Sequence, residues 1–211
     1  EDLSDYRKSY EKSALLETSI PEDPINLFHQ WFHEVEDFGG IEEVNAMTVS
    51  TIGLDGFPKS RVVLLKKYSE EGFIFYTNYL SHKGQDISRQ EKVSMLFFWP
   101  GLMRQIRIEG RVQPIDAAVS DAYFASRPRE SQIGAWASAQ SAVLPSRQAL
   151  IAQFEYYDQQ FPELVPRPPH WGGYALQPDY FEFWQGQPSR LHDRKSFLLQ
   201  DDVWQINLLN P

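Results

Sequence analysis

The sequence predicts a mainly β protein with helical additions (α+β), organised as an antiparallel barrel. Three observations carry that prediction. Short apolar segments recur at hairpin spacing, punctuated by turn signals such as Asp55-Gly56 and Pro100-Gly101. Helical patterns fall between these segments without the regular alternation that a doubly wound parallel sheet requires. No G-x-G-x-x-G follows a strand, and no Walker, H-E-x-x-H or G-x-S-x-G motif occurs anywhere.

Taken in order, residues 1–22 read as an N-terminal arm, polar with scattered apolar positions. Asp23 then opens a helix as N-cap, with Pro24 in its first position. Ile25, Phe28, Trp31, Phe32 and Val35 form its apolar face, and Gly39-Gly40 ends it. Residues 46–52 read as a strand entering the Asp-Gly hairpin. Residues 60–67 and 73–77 follow as strands, joined by a connection over 68–72. Residues 81–92 form a short polar helix. Strands over 93–99 and 103–112 then turn about Pro100-Gly101. In the second, Ile106, Ile108 and Val112 share one face, while Gln105, Arg107, Glu109 and Arg111 share the other.

Asp116 caps a helix running to Ser126, residues 127–136 continue as a loop, and Ser146 caps a helix carrying Leu150, Phe154 and Tyr157. Residues 162–169 make a Pro-rich connector. Segments 173–176, 180–184, 190–199 and 203–208 close the chain as strands. Nothing repeats, and residues 23–211 read as a single domain.

Composition narrows the chemistry. The 211 residues include no cysteine, which removes disulfides, thiolate catalysis and iron–sulfur clusters and suits a cytoplasmic location. No metal-ligand motif stands out. The net charge of −9, from 29 acidic and 20 basic residues, argues against nucleic acid as a partner. No apolar window is long enough for a membrane span, and no basic-then-apolar leader pattern is present, although the chain starts at Glu1 rather than Met. Yet Arg61, Lys66, Arg104, Arg107, Arg111, Arg127, Arg190 and Arg194 lie in or beside apolar segments. Local positive clefts in an acidic protein suit small anionic ligands.

The stretch F-E-F-W-Q-G-Q-P-S-R-L-H-D-R, from Phe181 to Arg194, is the richest in chemistry. Singly, its residues suit a barrel rim with satisfied salt bridges. Together, Trp184, Arg190, His192 and Arg194 read as a grip on an anionic, aromatic ligand, with guanidinium forks and an imidazole that can move a proton. Arg61 and Lys66 bracket an apolar strand, on opposite faces if alternation is strict. Ser81-His82-Lys83-Gly84 opens a helix and offers N–H groups, a hydroxyl and an amine to a phosphate. Tyr123, Arg127 and Ser131, about one helical turn apart, suit a phosphate monoester; a turn with surface arginines is the competing reading.

These segments bring the chain to a known family. R-V-V-L-L-K at 61–66, Y-T at 76–77, S-R-P-R-E-S-Q-I-G-A-W at 126–136, Q-S at 140–141, W-G-G at 171–173 and F-W-Q-G followed by R-L-H-D-R closely resemble pyridoxine (pyridoxamine) 5′-phosphate oxidases. The motifs keep the family's order and cover the chain from about Asp23 onward. The resemblance implies an FMN-binding split β-barrel and a homodimer with FMN at the subunit interface. It implies oxidation of pyridoxine 5′-phosphate and pyridoxamine 5′-phosphate to pyridoxal 5′-phosphate, with hydride transfer from C4′ to flavin N5 and O2 as the final acceptor, giving H2O2.

By matching motif positions, the resemblance assigns FMN to Arg61, Val62, Val63, Leu64, Leu65, Lys66, Tyr76, Thr77, His82, Lys83, Gln105, Gln140, Ser141, Trp184 and Arg194. Substrate falls to Lys66, Tyr123, Arg127, Ser131, Arg190, Leu191 and His192, with Arg190 and His192 catalytic. The arm residues Arg7, Lys8, Ser9 and Tyr10 resemble a segment that closes as an active-site lid. Two departures stand out. His82 occupies a position where the family commonly has arginine, and Leu208 replaces an arginine in the tail. The alternatives are a non-catalytic carrier of FMN or pyridoxal phosphate, and a split-barrel flavin oxidoreductase with another substrate.

Overall fold

The computed structural model describes residues 21–211. The arm residues Arg7 to Tyr10 lie outside that range. The first described helix, α1 (Pro24–Phe38), begins as its sequence dictates: the Asp23 carboxylate accepts from the Ile25 N–H, and Gly39 ends the helix at a φ of 69°. Next come β1 (Ala46–Ile52), β2 (Pro58–Leu64), β3 (Lys67–Ser69), β4 (Gly72–Asn78), α2 (His82–Arg89), β5 (Lys92–Trp99) and β6 (Arg104–Pro114). Then follow α3 (Ala117–Ser126), α4 (Arg129–Ala137), α5 (Arg147–Gln160), β7 (Trp171–Gln185), β8 (Asp193–Gln200) and β9 (Val203–Leu208).

Strand neighbours run β2-β1-β5-β6-β7-β4-β3, with β8 on β7 and β9 on β8. The pairings β3–β4, β4–β7, β7–β8 and β8–β9 are antiparallel. Burial along β6 alternates as read from sequence, with Ile106, Ile108 and Val112 inside. The fold is mainly β with helical additions, an antiparallel split barrel.

Four segments differ from the sequence reading. The strand read over 60–67 stops at Leu64, and Leu65-Lys66 break it before the short β3 hairpins onto β4. Strict alternation does not run through this break, and Arg61 and Lys66 both line one cavity. The two strands read over 173–176 and 180–184 are one continuous β7. β7 pairs β4 up to Leu176 and β8 from Tyr180, and Pro178, which has no N–H to give, lies in neither register.

The strand read from Arg190 starts at Asp193. Before it, Pro188–Arg190 make a 3-10 turn in which Ser189 and Arg190 have φ of 56° and 61°. The loop read over 127–136 is mostly the helix α4, which Pro128 starts after an extended Arg127.

The described chain forms two compact units. One comprises residues up to Val49, Ser94–Gly110 and Pro178–Pro211. Its core seats α1 on strand residues: Phe28 meets Phe97 edge-on at 5.2 Å and Trp31 meets Phe183 at 5.3 Å. Arg104 lies over Trp31 at 4.5 Å and bonds Gln185 Oε1 at 2.9 Å and Glu34 at 2.5 Å. The other unit comprises Ser50–Val93 and Arg111–Gln177, and holds α2 to α5. Phe124, Ile133, Val165 and Trp171 form a cluster there, joined by Tyr76, Tyr123 and Trp136.

Candidate functional site

A cavity of about 730 Å³ opens in the second unit. Arg61, Val62, Val63 and Leu64 from β2, with Lys66, line one part of it, and Tyr76, Thr77 and Asn78 from β4 another. His82 and Lys83 reach it from α2, and Tyr123, Arg127 and Ser131 from the α3–α4 corner. Gln140, Ser141 and Trp171 complete the wall, and none of the lining residues is acidic. Sequence reasoning named most of these residues separately; folding brings them around one space.

The α2 terminus explains part of the wall. The Ser81 hydroxyl accepts from Gly84 N–H and donates to the Asn78 carbonyl, fixing where the helix begins. Gly84 is required by space, because a Cβ there would overlap the Tyr79 carbonyl. Lys83, next to it, is buried and donates to Thr77 Oγ1 and Gln140 Oε1, each at 3.0 Å, and to Ser81 Oγ at 3.3 Å. These acceptors are all neutral. Burial pushes the Lys83 ammonium down to about 8, and the positive Arg61 adds to the shift. Burial also lowers Arg61, with Asp86 opposing it.

The α3–α4 corner has a different character. The Arg127 guanidinium lies 4.6 Å from the centre of the Trp171 ring and 5.6 Å from that of Phe124. Its Nη1 is buried and has no hydrogen-bond partner among the described residues. Burial lowers its pKa while Tyr123 opposes the shift. Tyr76 stacks on Tyr123 at 3.9 Å and on Trp171 at 5.4 Å, so three aromatic planes run side by side along this wall. The glycine after Trp171 is dictated by packing, since a Cβ at Gly172 would overlap the Tyr79 hydroxyl.

Gln132 holds the corner itself. Its amide donates to the carbonyls of Phe124 and Arg127, both at 3.0 Å, bridging the end of α3 to the start of α4. Gln132 and Trp171 were not singled out as site residues, although both sit inside the quoted motifs. A single glutamine between Ser131 and Ile133 gives no signal of such a bridge.

The remaining residues of interest do not line this cavity. Leu65 is buried in the core, and Gln105, Trp184, Arg190, Leu191, His192 and Arg194 belong to the first unit. There, the His192 and Trp184 rings lie 4.7 Å apart, and the Gln187 N–H donates to His192 Nδ1 at 3.0 Å. That bond keeps the proton of the neutral imidazole on Nε2. Arg190 and Leu191 are exposed on the 3-10 turn. Arg194 gives Nε to Glu182 at 2.8 Å and Nη1 to the Asn210 carbonyl at 2.7 Å.

With this geometry in view, comparison with known proteins is decisive. Residues 33–161 match the family model described as pyridoxamine 5′-phosphate oxidase, and residues 171–211 match that of the pyridoxine 5′-phosphate oxidase C-terminal dimerisation region. The chain belongs to the pyridoxine/pyridoxamine 5′-phosphate oxidase family. The Flavobacterium johnsoniae protein of that name is 60% identical, over 99% of each chain. The Actinobacillus succinogenes protein of that name is 47% identical, over 100% of each.

Among solved structures, PhzG from Burkholderia lata 383 in complex with tetrahydrophenazine-1-carboxylic acid superposes with a TM-score of 0.88. It is 29% identical, with 97% of this chain and 100% of that one covered. An FMN-binding protein related to pyridoxamine 5′-phosphate oxidase, from Nostoc punctiforme, has a TM-score of 0.71 at 15% identity, covering 91% of this chain and 100% of that one, and shares the fold. No described helix is long and apolar enough to cross a membrane.

Proposed function

We propose that this oxidase-family chain converts pyridoxine 5′-phosphate and pyridoxamine 5′-phosphate to pyridoxal 5′-phosphate with FMN as cofactor. The observation that carries the reading is the buried Arg127 Nη1 without a partner, in the same cavity as Lys66, Tyr123 and Ser131. A desolvated guanidinium lacking an acceptor costs free energy that a bound phosphate monoester recovers through charge-assisted hydrogen bonds. A second anion suits the other cations of the cavity. Lys83 is buried among neutral acceptors at the start of α2, beside Arg61, which fits the FMN phosphate.

On this reading Lys66, Tyr123, Arg127 and Ser131 bind the substrate phosphate. Arg61 to Lys66, Tyr76, Thr77, His82, Lys83, Gln140 and Ser141 hold FMN, and the family resemblance adds Gln105, Trp184 and Arg194 to the FMN residues. Arg190 pins the pyridine ring, and His192, with its proton on Nε2, addresses the substrate's polar groups. When bound, FMN supplies the hydride acceptor at N5 and passes the electrons to O2, giving H2O2. The protein's own contribution is to orient C4′ and hold the ring, and positioning of this kind removes a large part of a barrier.

The match to the C-terminal dimerisation region supports a homodimer, as do apolar side chains left open beside the cavity, with Val143 98% exposed. The alternative of another substrate draws on PhzG, whose fold accommodates a tricyclic acid. The phosphate grip at Arg127 favours the phosphorylated pyridine.

Aerobic turnover of pyridoxine 5′-phosphate by FMN-loaded protein, following aldehyde and peroxide together, tests the reading. Equal yields of the two support it. Tight FMN binding with neither product rejects the reaction and leaves a carrier or another split-barrel activity.

A further inference from the structure

Behind the cavity wall lies a carboxylate that the proposed chemistry does not use. Asp86 sits on α2 three residues after Lys83 and is 2% exposed. Its Oδ2 accepts from Thr51 Oγ1 at 2.7 Å, and the same threonine oxygen accepts from Arg61 Nη1 at 2.7 Å. Asp86 Oδ2 also lies 3.7 Å from Arg61 Nη2, and the Lys59 carbonyl takes a second bond from Nη1 at 3.0 Å. Arg61 on β2 is thus tied through Thr51 on β1 to Asp86 on α2.

The charge is out of place on simple electrostatic grounds. A buried carboxylate is costly, and an amide of the same size would satisfy the Thr51 hydroxyl without that cost. An anion a few ångströms behind a wall that receives phosphate also works against the ligand. What the carboxylate adds is geometry, because it draws the guanidinium and the hydroxyl into one fixed arrangement.

We infer that Asp86, acting through Thr51, is a positioning residue that orients the Arg61 guanidinium for the phosphate of FMN. This inference rests on the FMN reading above. Asp86 does not touch the ligand; it sets the angle at which Arg61 meets it.

The two views of Asp86 give opposite signs. If its charge acted only as a local field, Asp86→Asn would make the cavity more positive and tighten FMN. Positioning requires FMN to bind about ten-fold more weakly despite the added positive charge. Thr51→Val keeps the carboxylate and removes the bridge, so it weakens FMN similarly, and Thr51→Ser restores it. Riboflavin, which lacks the phosphate, is the internal control and binds each variant as it binds the unaltered protein.

Titrating apoprotein with FMN and with riboflavin, by quenching of flavin fluorescence, gives the ratio of the two dissociation constants. A selective loss of FMN affinity in D86N and T51V, reversed in T51S, supports the inference. Unchanged or tighter FMN binding in D86N overturns it. So does equal weakening of both flavins, which is the signature of a damaged fold. Unaltered protein that binds FMN no better than riboflavin would instead reject the FMN-phosphate reading itself.

Discussion

The Arg127 guanidinium rests 4.6 Å from the centre of the Trp171 ring, yet its buried Nη1 bonds to nothing among the described residues. Stacking on indole orients the plane, and burial strengthens whatever acceptor arrives. On the proposed reading, a bound phosphate completes the arrangement. Arg127→Ala is expected to raise KM for pyridoxine 5′-phosphate by about ten- to a hundred-fold, the worth of one or two charge-assisted bonds. FMN affinity should remain within about two-fold, because the hydrogen bonds that hold Lys83 and Arg61 run to Thr77, Gln140 and Thr51. Steady-state kinetics beside a flavin titration checks both halves, and a variant with unaltered KM would remove Arg127 from the phosphate site.

Lys83 provides a pH signature. Its ammonium is held down at about 8 by burial and by Arg61, so in the apoprotein it loses its proton well below the ordinary lysine range. A bound phosphate favours the charged form and raises that value. FMN binding near pH 8 should then take up protons, and affinity should fall as pH rises above about 8. For the apoprotein itself the sign is fixed as well. The unfolded chain holds the proton up to about 10.4, so this group's contribution to stability increases as pH rises from about 8 to that value. Calorimetry of FMN binding in buffers of different ionisation heat reads the proton uptake directly. Lys83→Arg should abolish it near pH 8, and equal uptake in that variant would place the titration elsewhere.

Glu182 makes the acid side testable. The carboxyl is 4% exposed and accepts from Arg194 Nε and Arg107 Nη2, each at 2.8 Å. Burial pushes its pKa up, but the bonds from Arg194 and Arg107 together outweigh burial and hold it below the usual carboxylate range. A depressed carboxylate contributes stability above its unfolded value of about 4.3 and loses it as pH falls through the folded value. Glu182→Gln should cost about 2 kcal/mol near neutral pH, less than a fully buried pair because Arg107 is partly solvated. The gap between the two proteins should close in acid. Denaturant unfolding at several pH values measures it, and a gap independent of pH would mean that the charge contributes nothing.

How much of this was legible in the sequence depended on the range of the signal. Caps are local, so Asp23, Ser81, Asp116 and Ser146 mark helix starts that the structure shares. Alternation over 104–114 likewise gives the buried face of β6 directly. The continuity of β7 through Pro178 was hidden, because it depends on which partner strand takes over on either side. The break at Leu65-Lys66 was hidden for the same reason: a change of partner strand leaves no mark in an apolar run. In the cavity, charged and aromatic residues announced themselves, whereas the Thr51–Asp86 and Gln132 bridges act through partners 35 and 5 to 8 residues away and carry no motif of their own.

His82 is where the family resemblance and the local chemistry diverge. It stands at the first position of α2, exposed and lining the cavity, where arginine is common in the family. An imidazole presents one charged donor edge at most, and only when protonated, whereas a guanidinium is always charged and can grip a phosphate with two parallel bonds. His82→Arg should therefore tighten FMN about three- to ten-fold. Titrating the two apoproteins with FMN side by side at one pH measures the gain, and no gain at all would place His82 outside the flavin site.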